Sequence, residues 1–493
     1  MTAIGLSPVV DLAALAAVAS PSGLSVRVKA TAGAGQLVES VSTTVFSTFL
    51  FFYYTALLGL PGSLVGAATA ISLVADAVAD PVLGSLSDNA RSSWGRRIPF
   101  MFIGGPLVAL GLGLVFSPPA GLSTLGLFGW LVTVSLLMRF AISTFHVPYL
   151  ALGAELSTDY IERSNVVTYR TLFSIFGPLG VLVLGYGVFL GGTDGLRHAR
   201  GYAPLAWSAA VLILVGWLVS VAGVRRFAGA LPVVARDETA LHRRLFEELV
   251  EIFRNPSFRV MFSCAVLFAS AQGLAASLGQ YLFVFVWKVS SAQILLITIS
   301  VFIGLIVGVP LSPILGRRLE KKVLIMSGLA LFCIAQGGLS SMRALGLFTP
   351  TGAAAVLPLC VNSFVAGVGL TFTGITIGSM MADATDEHDF LFGTRREGLF
   401  FAGIGFAQKA ATGLGALLAG VALDIIHFPK MAAAAGVASE LTPTMLNNLV
   451  WASGPAAAVV SLVATGLMFL YRIDRRRHAE IADALLARKL AAA

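Results

Sequence analysis

The sequence predicts an all-α membrane protein with twelve transmembrane helices arranged as two six-helix halves. Three observations carry this expectation: the apolar composition, a sided distribution of basic residues, and a short motif repeated between the halves. Of 493 residues, 57% are hydrophobic and 12% charged, with a mean hydropathy of +0.88. A water-soluble domain carries roughly a quarter charged residues because its surface must face water, so the main solvent here is lipid. The apolar runs are long and continuous, not short and alternating, which argues against a membrane barrel. The 52 glycines suit helices that approach closely where no hydrophobic drive holds them together. Cys264, Cys333 and Cys360 lie in apolar runs without CxxC spacing, so they read as packing residues and no metal site or disulfide is expected.

Apolar periodicity places helices at 36–58, 62–88, 98–117, 123–153, 165–190 and 203–224 in the first half. The second half gives 257–286, 291–315, 322–341, 353–381, 398–424 and 447–471. The chain then divides into an N-terminal tail (1–35), a first half (36–224), a central loop (225–256), a second half (257–471) and an amphipathic tail (472–493). In the central loop Leu241, Leu245, Leu249 and Phe253 recur at helical spacing among charges, the pattern of a helix lying on a membrane surface. The first 35 residues start without a basic region and carry Asp11, which argues against a cleaved signal peptide.

The formal net charge of +8 is not a nucleic-acid signature, because the basic residues follow the loops. Of 33 Lys and Arg, 25 fall in segments on one predicted side, five on the other and three inside helices. The positive-inside rule makes both termini and the central loop cytoplasmic, in a multi-pass inner (plasma) membrane protein that is expected to be a monomer. Gly95-Arg96-Arg97 and Gly316-Arg317-Arg318 each follow the second helix of their half, the layout of a parallel repeat. Such folds bind their ligand between the halves near the bilayer midplane and work by rocking one half against the other. No GxxxxGK[ST] or HExxH pattern occurs, so nucleotide-driven pumping and metalloprotease chemistry have no support, and no cofactor is expected.

Charges placed within apolar helices are the informative residues, since each is costly in lipid unless paired or hydrated. Asp76 and Asp80 lie four apart, on one helix face, where two carboxylates can hold a cation or exchange a proton; the alternative is a plain salt bridge to Arg139 or Lys409. Pro81 follows and loosens the local backbone. Lys409 is too deep in its helix to snorkel and needs a carboxylate partner. Arg139 suits either an anionic group of a solute or a pairing with the aspartates. His146 suits a proton relay or a simple interhelical hydrogen bond. Arg170 lies near enough to the helix end to snorkel.

Asp76-Ala-Val-Ala-Asp80-Pro81 with Trp94-Gly95-Arg96-Arg97-Ile98-Pro99 resembles the glycoside-pentoside-hexuronide:cation symporters of the major facilitator superfamily, as do three further stretches. They are Val147-Pro148-Tyr149-Leu150-Ala151-Leu152 through Glu155 to Arg163, the Tyr169-Arg170 pair, and Met381-Ala382-Asp383 through Arg395-Arg396-Glu397-Gly398 to Lys409. The resemblance covers nearly the whole membrane region. It implies a major facilitator fold, a cation site on Asp76 and Asp80 that communicates with Lys409, and a solute site reached by Arg170. At the family's two acidic sugar-binding positions this chain has Ser40 beside Glu39, and His146, so galactoside specificity is not implied. Ala79 replaces an asparagine that ligates sodium in the melibiose-transporting relative; the expected coupling ion is therefore a proton, with Ser143 the one hydroxyl able to complete a sodium shell.

The loops on the basic side carry both signs of charge: Asp88, Arg96, Arg97, Glu155, Asp159 and Arg163 in the first half, Asp383, Arg395 and Glu397 in the second. They are expected to pair across the halves as a cytoplasmic gate favouring the outward-open state. The Asp386-Glu387-His388-Asp389 cluster reads as an exposed gate loop and not as a metal site. Taken together the residues imply symport of a sugar, glycoside or hexuronide-like solute with a cation, with no enzymatic activity. Two alternatives are a transporter of lysolipid or another amphiphile, suggested by 33 phenylalanines, and a non-transporting sensor, which retention of the intramembrane charges disfavours. The topology is open to test: reporter fusions at Arg236 and at Ala493 are expected to be active on the cytoplasmic side, and periplasmic activity at both would overturn it.

Overall fold

The computed structural model describes residues 24–90, 92, 94–156, 159–192, 194–228, 251–430 and 441–492. Arg91 and, of the four apolar residues in the central loop, Leu241, Leu245 and Leu249 lie outside them. In the first half the helices are α1 (Val26–Ala34), α2 (Gln36–Phe52), α3 (Gly62–Asn89), α4 (Ile98–Val115), α5 (Thr124–Glu155), α6 (Tyr160–Val183) and α7 (Tyr202–Ala228). The second half has α8 (Pro256–Tyr281), α9 (Ser291–Gly316), α10 (Lys321–Ala344), α11 (Ala353–Phe392), α12 (Glu397–Ile425), α13 (Pro443–Ser453) and α14 (Pro455–Leu467), followed by α15 (Arg475–Ala492). Eleven helices among the described residues are long and apolar enough to cross a membrane. The α1–α2 pair makes the twelfth crossing.

Several boundaries differ from expectation for identifiable reasons. The predicted start at residue 36 is that of α2, and the additional α1 from Val26 precedes it because Arg27 and Lys29 interrupt the apolar pattern without preventing a helix; Lys29 pairs with Glu162 at 2.8 Å. At the α1–α2 junction a Cβ on Gly35 would come within 2.5 Å of the Tyr149 ring, and the Tyr149 hydroxyl donates to the Ala32 carbonyl at 2.9 Å. Tyr149 of the Val-Pro-Tyr stretch thus fastens the first crossing. The tenth predicted span runs 40 residues, to Phe392, so Asp386 to Asp389 are its last turns and not an exposed loop. Within them Glu387 and His388 are buried. Among the described residues no group of three or more His, Cys, Asp or Glu side chains is placed to hold a metal ion.

The two halves meet at the end opposite the basic loops. There α2, α6 and α8 each finish in a wider π-helical turn, at Tyr53–Leu57, Leu184–Phe189 and Leu282–Val286. These turns bring together hydrogen bonds between Thr55 and Tyr281 and between Tyr186 and Gln280, each joining one half to the other. Phe52 packs edge-on against Tyr281 at 5.1 Å, and Phe428 closes over Tyr281 at 5.3 Å. Asp424, on α12, caps α3 of the other half, accepting from the backbone N–H of Gly62 at 3.0 Å and of Ser63 at 2.9 Å. A carboxylate there satisfies two of the free donors of a helix start and faces its positive dipole end.

Below this seal α3 and α12 touch backbone to backbone. A Cβ on Gly66 would lie 2.6 Å from the Ala416 carbonyl oxygen, and one on Gly420 would lie 2.0 Å from that of Gly62. Contact is lost toward the basic end. Gly405 lies one turn from Lys409, on the same face of α12, yet an added Cβ would meet nothing within 4 Å, and the same holds for Gly374 and Gly378 on α11. The molecule is therefore closed at one end and open toward its basic loops. Asp424→Ala is expected to loosen the seal, so that a cysteine placed at Leu60 reacts at least about threefold faster with a membrane-impermeant maleimide, the loss of two charge-assisted bonds being more than enough for this. An unchanged rate would show that the cap does not hold the closed end.

Candidate functional site

At mid-depth α3 turns Asp76 and Asp80 toward α12, where Lys409 lies between them. Its Nζ is 2.9 Å from Asp76 and 2.5 Å from Asp80. Asp76 is 3% exposed, accepts from the Ser143 hydroxyl at 3.0 Å, and has the Arg139 guanidinium 4.0 Å away. Arg139 is itself buried and lies over the Phe46 ring at 4.5 Å. Asp80 and Lys409 are one-third exposed, so the pair is reached from the open end while Asp76 is sealed behind it. Such an arrangement keeps every buried charge partnered, the condition for holding it in a medium that hydrates poorly.

These residues line a cavity of about 560 Å³ between the halves, together with Glu39, Thr43, His146, Gln272, Gln408 and Thr373. Glu39 accepts from the Gln36 amide at 3.0 Å and from the Thr43 hydroxyl at 3.3 Å. With Glu39, Asp76 and Asp80 facing only Arg139 and Lys409, the wall carries one unbalanced formal negative charge. The Nε2 of His146 is buried without a partner. Arg170 lies in an adjoining 290 Å³ pocket, which shares His146 and Leu150 with the main cavity. Ser40 is not brought to either: its hydroxyl donates to the Gln36 carbonyl at 2.9 Å and it packs against Gly177 of α6.

The residues at the basic end pair within their own halves, not across them as expected. Glu155 accepts from Arg96 at 2.5 Å and Arg97 at 2.6 Å, and Arg97 also meets Asp88 at 2.9 Å. Asp159 caps α6 by accepting from the Glu162 N–H, one turn before Arg163. In the second half Lys321 binds Asp383 at 2.7 Å, repeating the first-half arrangement, and Arg395 meets Asp386 and Glu397, each at 3.3 Å. Among the described residues no ion pair joins the halves at this end. The reason is the open cleft, which separates the two sets.

Sequence reasoning fixed on charges and passed over neutral polar residues. A second cavity of about 450 Å³ lies toward the closed end, sharing Gln272 and Leu370 with the charged one, and its polar wall consists of amides and hydroxyls. Asp424 was also missed. Amides inside apolar runs, and an acidic residue at the far end of the eleventh predicted span, were the available signals.

A family model described as MFS/sugar transport protein matches residues 31–475. An uncharacterized symporter of Synechocystis is 25% identical, over 93% of this chain and 96% of its own length. The isoprimeverose transporter of Lactiplantibacillus pentosus is 23% identical, over 90% of this chain and 88% of its own. The inward-open structure of the xylose transporter XylE from E. coli superposes with a TM-score of 0.58 at 16% identity, covering 93% and 98% of the two chains.

The geometry separates the three predicted solute residues. Arg139→Ala is expected to leave Asp76 short of a buried partner and to cost about 3–5 kcal/mol of stability, whereas His146→Ala and Arg170→Ala stay within about 1 kcal/mol. Melting temperatures of the three purified variants check this, and equal losses would contradict it.

Proposed function

The chain belongs to the MFS/sugar transport protein family, a multi-pass membrane transporter and not an enzyme, and from that premise we propose that it couples a cation to the uptake of a sugar or glycoside. The single observation carrying this reading is Lys409 of one half held between Asp76 and Asp80 of the other. Lys409 occupies the place a cation would take. A cation arriving at the carboxylates competes for the same lone pairs, releases Lys409 and cuts an ionic tie between the halves. Binding therefore changes the relative stability of the two rocked states, which is what coupling requires. One unbalanced negative charge in the cavity matches one monovalent cation carried with a neutral solute.

The names of the relatives point to sugars as the solute class. The carboxylates, amides and hydroxyls set into the largely apolar cavity walls offer partners to a sugar's hydroxyls and support that choice. With the basic loops cytoplasmic, as in an inner-membrane protein, the open end faces inward and the seal at Asp424 and Tyr281 faces outward. Loading from outside then requires that seal to open.

A proton is the cation this site suits best. Sodium needs several oxygens in a fixed shell, while a proton needs one carboxylate. Asp76 has the Ser143 hydroxyl, but the neighbouring Ala79 is a buried methyl and offers no oxygen. In proteoliposomes an imposed pH gradient is expected to drive sugar accumulation. Asp80→Asn abolishes accumulation while allowing downhill exchange, since the solute wall remains. Uptake driven by a sodium gradient at symmetric pH, with no response to protons, would overturn the ion assignment.

A further inference from the structure

The 450 Å³ cavity above the charge cluster plays no part in cation coupling: no charged side chain lines it. Its wall presents Gln272, Gln280, Gln336, Asn362 and Ser363, with Trp287 beside them. Gln272 and Gln336 make no side-chain hydrogen bond to a described residue. Asn362 donates to the Ala335 carbonyl at 2.8 Å, which leaves its amide oxygen uncommitted. Gln280 donates to the Tyr186 hydroxyl, and its Oε1 is buried with no partner. Gln280 is buried with an unpaired oxygen that packing alone does not account for, and the half-exposed Gln272, Gln336 and Asn362 keep polar atoms free toward the cavity.

An amide offers a donor and an acceptor side by side, the complement of two neighbouring hydroxyls. The volume falls within the range of about 300–1,000 Å³ typical of small-ligand pockets. Gln272 and Leu370 line both cavities, so the two lie side by side.

We propose that this cavity is a second solute subsite, taking an uncharged, hydroxyl-rich glycosyl ring while the other end of the same solute extends past Gln272 into the charged cavity. The preferred substrate is then a glycoside of at least two units, not a monosaccharide. This rests on the sugar reading above and deepens it.

Binding of isoprimeverose, a disaccharide of xylose and glucose, is compared with binding of xylose and of glucose to the purified full chain. The disaccharide is expected to bind at least about tenfold more tightly than either unit, the net value of one or two additional hydrogen bonds. Gln336→Leu and Asn362→Leu each reduce that ratio to about twofold or less and leave monosaccharide affinity within about twofold, being distant from the charged cavity. If either variant fails to fold, Ser363→Ala, which removes one hydroxyl, carries the same expectation in smaller measure. Fluorescence gives a second readout: isoprimeverose changes the emission of the wild type, and the change is lost in Trp287→Phe. Sugars that bind without preference for the disaccharide, or leucine variants that weaken both classes alike, overturn the subsite and leave sugar transport standing. If none of the three sugars binds, the sugar reading falls and the subsite falls with it.

Discussion

The position of Lys409 between Asp76 and Asp80 is the constraint around which the rest of the structure is arranged. A charge at the centre of a bilayer costs about 2.5–3.5 kcal/mol or more when isolated, so three of them persist only by facing one another. Because the lysine and the carboxylates come from different halves, their pairing is also a mechanical link. The backbone contact of α3 with α12 follows from it. Glycines at 62, 66 and 420 let the helices approach until side chains one-third exposed can meet.

The two ends of the molecule use different chemistry. At the closed end the halves are joined by hydroxyls, amides, aromatic rings and one carboxylate on a helix start. Such contacts are individually weak and reversible, as an interface that must open requires. At the basic end the strong ion pairs are internal to each half, with Arg96, Arg97 and Glu155 matched by Lys321 and Asp383. They stiffen each half as a unit. A rigid half can rock as one body, so a change at the charge cluster is carried to the distant seal.

Much of this was legible in the sequence because charge in an apolar run is a strong signal. Asp76, Asp80 and Lys409 are brought together as the family resemblance implied, Arg139 lies at Asp76 as one of its two readings had it, and Ser143 donates to Asp76. The gate pairing was not legible, since a list of loop charges does not say which half each will face. Nor was α1, where Arg27 and Lys29 break the apolar pattern ahead of the predicted start at residue 36. Ser40 and Glu39 are adjacent, and only the register of α2 decides that Glu39 faces the cavity while Ser40 faces Gly177.

On the reading proposed above, the neutral wall and the charged wall divide the work of transport. In that division the charge cluster responds to the cation and to the charge of what it meets. Amides supply selectivity, since a ligand that fails to match them leaves donors and acceptors unpaired in a space that hydrates poorly. Gln280 belongs to both the amide wall and the closed-end seal, through Tyr186. A solute that satisfies its free oxygen therefore bears directly on a contact that must break before the outer end opens. On the proposed reading selectivity and gating converge on one side chain, and cation coupling belongs one cavity below it, at Asp76 and Asp80.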